Sequence, residues 1–184
     1  MVIMVSDVDI NQLSVKKSKD AQYLQLGTEK INIQTPWITL PKFPLTGRSF
    51  VKEADKCIGL TIPIAEGDEL HKFFSEVDNF LEAKELMPKK TLHKLVSNKD
   101  GLLSVKFKLY LNTIVFVGKE EKKVSTIYDY YNNLTEGRDV RIIFNFTKLW
   151  ALNGAYGFAV RVEKLQLKEE QSILDAINNV DFSD

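Results

Sequence analysis

A chain of 184 residues, 44% of them apolar and 27% charged, can bury a core of its own and has the size of one domain, which excludes wholesale disorder. Its single cysteine, Cys57, excludes an internal disulfide, and no apolar run approaches the roughly 20 residues of a membrane-spanning helix. Basic and acidic side chains balance at 25 each, yet residues 1–164 hold 24 Lys and Arg against 20 Asp and Glu, while residues 165–184 hold one Lys against five acids.

A mildly basic body therefore carries an acidic end, and the body is itself divided. Residues 53–82 hold two Lys against eight acids, and residues 84–123 ten Lys against four, which predicts a two-sided surface. The apolar start Val2–Val5 lacks the basic flank and longer apolar stretch of a secretory signal, so the expected location is intracellular.

Residues 1–20, polar with scattered valines, read as an N-terminal arm. Apolar residues alternate over Gln22–Leu26 and Lys30–Thr35 around a Gly27-Thr28 break, as in a pair of strands. Pro36, Pro41 and Pro44 defeat both helix and ladder pairing and predict a long ordered loop over 35–48. Cys57–Ile64 reads as a strand. Asp68 then caps a helix from Glu69 to about Met87, with Leu70, Phe73, Phe74, Val77 and Leu81 on one stripe and Pro88 as its stop. A basic connection, Lys89–Lys99, leads to a strand over Leu103–Leu111, and Asn112-Thr113 is expected to turn it into a hairpin with Ile114–Val117. Ser125 is the expected cap of a short helix over Thr126–Leu134, closed by Gly137. Two long strands, Asp139–Leu149 and Tyr156–Leu167, are joined at Asn153-Gly154, a strong hairpin signal. Residues 169–184 form the acidic C-terminal tail, with a short amphipathic helix through Ile173 and Ile177.

About seven strands and one substantial helix make the chain mainly β, in the α+β class. Their order suits an OB-like, partly closed antiparallel barrel with additions over residues 21–168. A β-sandwich is the alternative.

Catalytic chemistry finds little support. His71, His93 and Cys57 are too few for a zinc cluster, and no phosphate loop, dinucleotide fingerprint or nucleophile elbow occurs. Asp55, Asp68 and Glu76 could converge as carboxylates, but their density fits a solvated helix face better. No enzyme activity, metal or cofactor is expected.

Single strands are bound by cations that follow phosphates and rings that stack on bases. Both occur together in three places. Trp37, Lys42, Phe43, Arg48, Phe50 and Lys52 lie in the proline-rich loop and just after it. Lys106, Lys108 and Tyr110 share one strand face, which a buried face would not tolerate. Arg141, Lys148, Trp150, Tyr156 and Arg161 surround the last hairpin. Phe107, Phe144, Phe146 and Phe158 are in phase with aliphatic residues and are expected in the core. Phe182, within the acidic tail, offers a hook for replication proteins.

The run Gly137-Arg138-Asp139-Val140-Arg141-Ile142-Ile143-Phe144, then Leu149-Trp150, then Gly154-Ala155-Tyr156-Gly157-Phe158 resembles the closing strands of viral single-stranded DNA-binding proteins. The likeness is greatest to the OB-fold proteins of nucleocytoplasmic large DNA viruses. Leu40-Pro41 and Ile62-Pro63-Ile64 extend it over residues 31–167, and the tail echoes phage single-strand binders, although Asp184 rather than Phe182 is last. The resemblance implies sequence-tolerant coating of single strands in replication, recombination or repair, in host cytoplasm if the chain is viral, with Arg141, Trp150 and Tyr156 near the groove. Single-stranded DNA is the expected partner, with RNA and a second copy of the chain open. The competing expectation is an interaction or virion structural protein that uses the β-domain as an interface.

Overall fold

The computed structural model describes residues 2–27, 32–48 and 57–169. The segment read as an arm is part of the fold. Strand β1 (Val2–Met4) leads through two short 3-10 turns to β2 (Leu13–Lys17), which pairs antiparallel with β3 (Gln22–Leu26). Val5 and Leu13 join the core. Of the strand expected over 30–35 the structure shows β4 (Asn32–Gln34), with Lys30 and Ile31 outside the described residues, and it pairs with β1 and β13 rather than with β3. Local alternation marked both strands correctly but carried no information about their partners.

The proline-rich loop contains two short strands, β5 (Ile38–Thr39) and β6 (Leu45–Arg48). Each follows a proline, where the missing N–H does least harm. Strand β7 (Cys57–Pro63) precedes helix α1 (Glu69–Lys84), where the Asp68 carboxylate accepts the His71 N–H at 2.6 Å. The helix stops short of Pro88 because Glu85 enters the left-handed region at φ 43°. The basic connection carries β8 (Thr91–Leu92) and β9 (Val96–Lys99).

Strand β10 (Leu102–Tyr110) and β11 (Ile114–Val117) do not form the expected hairpin. Strand β12 (Glu120–Lys122) pairs with β11 instead. Helix α2 (Ile127–Asn133) is capped by Thr126 and Asp129 as a capping box, one residue later than expected. The chain ends its described part with β13 (Asp139–Phe146), the small hairpin β14 (Trp150–Leu152) and β15 (Ala155–Gly157), and β16 (Val160–Leu167). Asn153 and Gly154 both have positive φ, 46° and 79°, as the predicted tight turn requires. The turn, however, joins β14 to β15 in a separate small sheet, and the two long strands expected on either side of it are each broken, at Thr147–Leu149 and at Phe158–Ala159.

The main sheet runs in the order β1-β4-β13-β16-β10-β7-β6. Strands β10 and β11 both lie parallel to β16, one after the other: Phe107 and Lys108 face Val160 and Arg161, and Ile114–Val117 face Lys164–Leu167. The Thr113 hydroxyl holds this bend, accepting from Tyr110 N and donating to Val162 O. Among the described residues β1 and β6 do not pair with each other, so the sheet stays open where a partly closed barrel was expected.

Helix α1 covers one face of this sheet. Phe74 stacks on Phe144 at 5.5 Å and meets Phe107 edge-on at 5.9 Å. Phe107, Phe144 and Phe158 are buried as expected, and Phe146 packs against the core from its edge. On the opposite face the polar members of the same strands project.

Candidate nucleic-acid interface

Strand β16 is the spine of this open face. Its register against β13 slips by one residue between Ile143 and Phe144, so Glu163 is an extra residue at a bulge. The slip keeps Val162 and Leu165 inside while Arg161, Lys164 and Gln166 all point outward. The broken phase of Val160-Arg161-Val162-Glu163-Lys164-Leu165-Gln166-Leu167 is a visible mark of that bulge. It could have identified Lys164 and Gln166, which sequence reasoning missed.

Lys108 and Arg161 stand abreast on neighbouring strands, and Asn145 continues the row on β13. Arg161 lies 5.0 Å from the Tyr110 ring centroid, with Glu163 Oε1 at 3.5 Å from its Nε. Asn145 donates to the same carboxylate at 2.6 Å. Lys106 lies along β10, and its stem covers Gly59 of β7 so closely that a Cβ there would collide with it. Among the described residues, Lys106, Lys108 and Lys164 take part in no ion pair.

Two hollows lie at the ends of β16. The first, about 250 Å³, is lined by His93, Lys94, Lys106, Lys108 and Trp150, with Phe158–Val160 as its floor. The Trp150 indole packs beside the His93 ring at 5.5 Å and crosses Gly157, where a Cβ would come within 3.3 Å of it. The wall carrying His93 and Lys94 is tied to the core. Buried Asp78 of α1 accepts the N–H groups of Leu95 at 2.8 Å and Val96 at 3.0 Å. Burial raises the Asp78 pKa above the usual carboxylate value, and those two N–H groups oppose the shift.

The second hollow, about 350 Å³, gathers Gln34, Phe116, Lys119, Arg141, Ile143 and Gln166, with Lys164 beside them. Arg141 lies 4.8 Å from the centroid of Trp37, which is 42% exposed. The Thr35 N–H and hydroxyl bond Ile142, and Leu40 N donates to Arg138 O, so the segment carrying Trp37 is laced to the edge of β13.

Several predicted residues thus share one face: Lys106, Lys108, Tyr110, Arg141, Arg161, Trp37 and Trp150. Tyr156 does not belong with them. It is only 3% exposed on β15, the middle strand of the small sheet β14-β15-β8, so its ring is covered and cannot stack on a base. Lys42 and Phe43 lie beyond the sheet edge at β6, with Phe43 79% exposed and Lys42 5.6 Å over its ring. Lys148 is exposed and bridges by its backbone to Tyr23, outside both hollows. Arg48 ends β6. Phe50, Lys52, the tail and Phe182 lie outside the described residues. His93, Phe116 and Lys119 were not singled out as binding residues, because nothing in their local pattern says which strands meet them.

No protein-family model and no curated protein sequence matches the chain. Among solved structures it is similar to the single-stranded DNA-binding protein from bacteriophage Enc34. Against the C-terminally truncated form the TM-score is 0.51 at 10% identity, covering 85% of this chain and 94% of that one. Against the same phage protein in complex with single-stranded DNA it is 0.50 at 11% identity, with the same coverage. The likeness is one of fold. No helix among the described residues is long and apolar enough to cross a membrane.

Proposed function

We propose that this protein binds single-stranded DNA, with little dependence on sequence, along the open face of its main sheet. The observation that carries the reading is the strip along β16. Lys106, Lys108, Arg161, Lys164 and Arg141 follow one another over the roughly 23 Å that seven strand steps span, with Trp150 at one end and Trp37 at the other. Cations at this spacing neutralise phosphates, and exposed rings offer stacking area that every base can use. The arrangement needs no groups for bond-making, which fits a binding role without catalysis.

The fold likeness to a phage protein named for single-stranded DNA binding supports the reading, as does an OB-like reading of the sheet, with β16 flanked by β13 and by the β10–β11 ribbon. The closing-strand motif adds a viral role in replication, recombination or repair, and its narrower likeness to large DNA viruses rests on that motif alone. Lys42, Phe43, Arg48 and Lys148 extend the proposed contact surface, and Phe182 in the acidic tail is the proposed hook for replication proteins. Tyr156 is withdrawn from the surface.

The test is an anisotropy titration with a labelled oligo-dT strand at 50 and 200 mM salt. Binding should weaken steeply as counterion release loses its advantage. Absence of binding at the lower salt would refute the reading.

A further inference from the structure

The two hollows differ in kind, and the second has the makings of a base-reading pocket. Its arginine is oriented rather than free. The Arg141 Nη2 donates to Gln166 Oε1 at 2.6 Å, and Gln166 Nε2 donates in turn to Gly118 O at 2.8 Å. The second bond settles which end of the Gln166 amide faces the guanidinium. Trp37 packs on the guanidinium at 4.8 Å, leaving its edges as the directions for further bonds. Among the described residues Nη1 and Nε of Arg141 make no hydrogen bond, and because Gln166 takes one of the two Nη2 hydrogens, the other forms a two-pronged donor with Nη1–H or Nε–H. Arg141 and Gln166 sit on the paired strands β13 and β16, while Gly118, in the turn after β11, and Trp37, in the loop before β5, complete the constellation.

The rest of the hollow suits one nucleotide. Its volume, about 350 Å³, lies within the range of small-ligand pockets. Phe116 supplies a ring and Ile143 an apolar wall, while Lys119 and Lys164 are exposed cations within reach of a phosphate. An arginine fixed in orientation pairs best with two adjacent acceptors, and guanine offers O6 and N7 side by side. Adenine places a donor next to N7 and thymine lacks an adjacent pair, while cytosine presents O2 and N3 on its Watson–Crick edge, which makes the dC strand the control that separates the two bases.

We propose that this hollow is a subsite preferring guanine, one position of base preference in an otherwise sequence-tolerant strip. The proposal rests on the single-strand-binding reading above. Its agent is Arg141, with Gln166 as the positioning residue.

The experiment compares oligo-dT with dT strands carrying one central dG, dA, dC or 7-deaza-dG, by anisotropy on the full chain. One dG should tighten binding about 5- to 150-fold, the range of a good bidentate base contact. The 7-deaza base, which lacks N7, should lose most of that gain. Gln166→Ala should bring dG down to the level of dT while oligo-dT is still bound, Arg141→Lys should remove the dG preference while weakening both strands together, and thermal melting of both variants checks that they fold. Equal affinity for dG and dT strands, or an equal gain from dC, overturns the guanine subsite and leaves the general reading standing. Failure to bind any strand overturns both.

Discussion

On β10, Val105, Phe107 and Leu109 are buried, Phe107 against Phe74 of α1, while Lys106, Lys108 and Tyr110, each one residue away, face outward. The inner set is held by shape: three phenylalanine rings, Phe74, Phe107 and Phe144, meet within 5.4 to 5.9 Å. In the outer set the two lysines have no ion-pair partner among the described residues, and the Tyr110 ring lies 5.0 Å from Arg161. Stability and function are thereby assigned to alternate residues of one strand. A substitution should disturb one property and spare the other.

The largest effect expected on either side belongs to the inner face. Phe144→Ala removes the ring that touches Phe73, Phe74 and Phe107 and should destabilise the fold by about 3–5 kcal/mol, read by urea denaturation. If the protein lost single-strand affinity at concentrations where it remained folded, the separation of the two faces would be wrong. Next comes Trp150→Ala on the outer face, which should weaken oligo-dT binding by about 1–3 kcal/mol, the range for loss of one stacked base. Unchanged affinity beside disturbed self-association would point to a protein interface instead.

Smaller still is the joint change Lys106→Ala and Lys108→Ala. It should lower the salt dependence of binding by roughly 1 to 1.5 in the log–log slope, since each phosphate contact on a single strand contributes about 0.7. An unaltered slope would remove these lysines from the path.

The smallest effect tests the rim. The Thr39 hydroxyl donates to Asp139 at 2.7 Å and Lys168 adds a bond at 3.2 Å; the first is the main reason that the Asp139 pKa is lowered. A carboxylate whose pKa is lower folded than unfolded stabilises the fold above the unfolded value, near 3.8, and loses that contribution as pH falls through the folded value. Asp78, raised by burial, acts in the opposite sense and favours folding as pH falls. Melting temperature followed from pH 6 to pH 2.5 should therefore drop less steeply in Asp139→Asn than in the unaltered protein. Parallel curves would show that the Thr39 bond contributes nothing.

Much of this was legible in residue order. Alternation along β10 marked Lys106, Lys108 and Tyr110 as one face and Phe107 as its opposite, because successive side chains of a strand must point to opposite sides. Asp68 and the apolar stripe after it marked α1, since a cap and a 3.6-residue period are local features. Asn153-Gly154 marked a turn that only positive φ could close. Tyr156 shows where such reasoning ends. Its own strand says that it alternates with its neighbours, but β14 and β8 decide that its side is covered.

Chain order by itself thus determined the mainly β class, the helix, the tight turn at Asn153-Gly154 and the two-faced character of β10. Tertiary structure alone decided that residues 2–17 belong to the fold, that β10 and β11 share β16 instead of pairing, and that Phe116, Arg141 and Gln166 meet in one hollow. The reason is the range of the forces involved. Backbone geometry sets the direction of each side chain within a few residues, whereas the neighbour of a strand is chosen by burial of apolar surface from the whole chain at once.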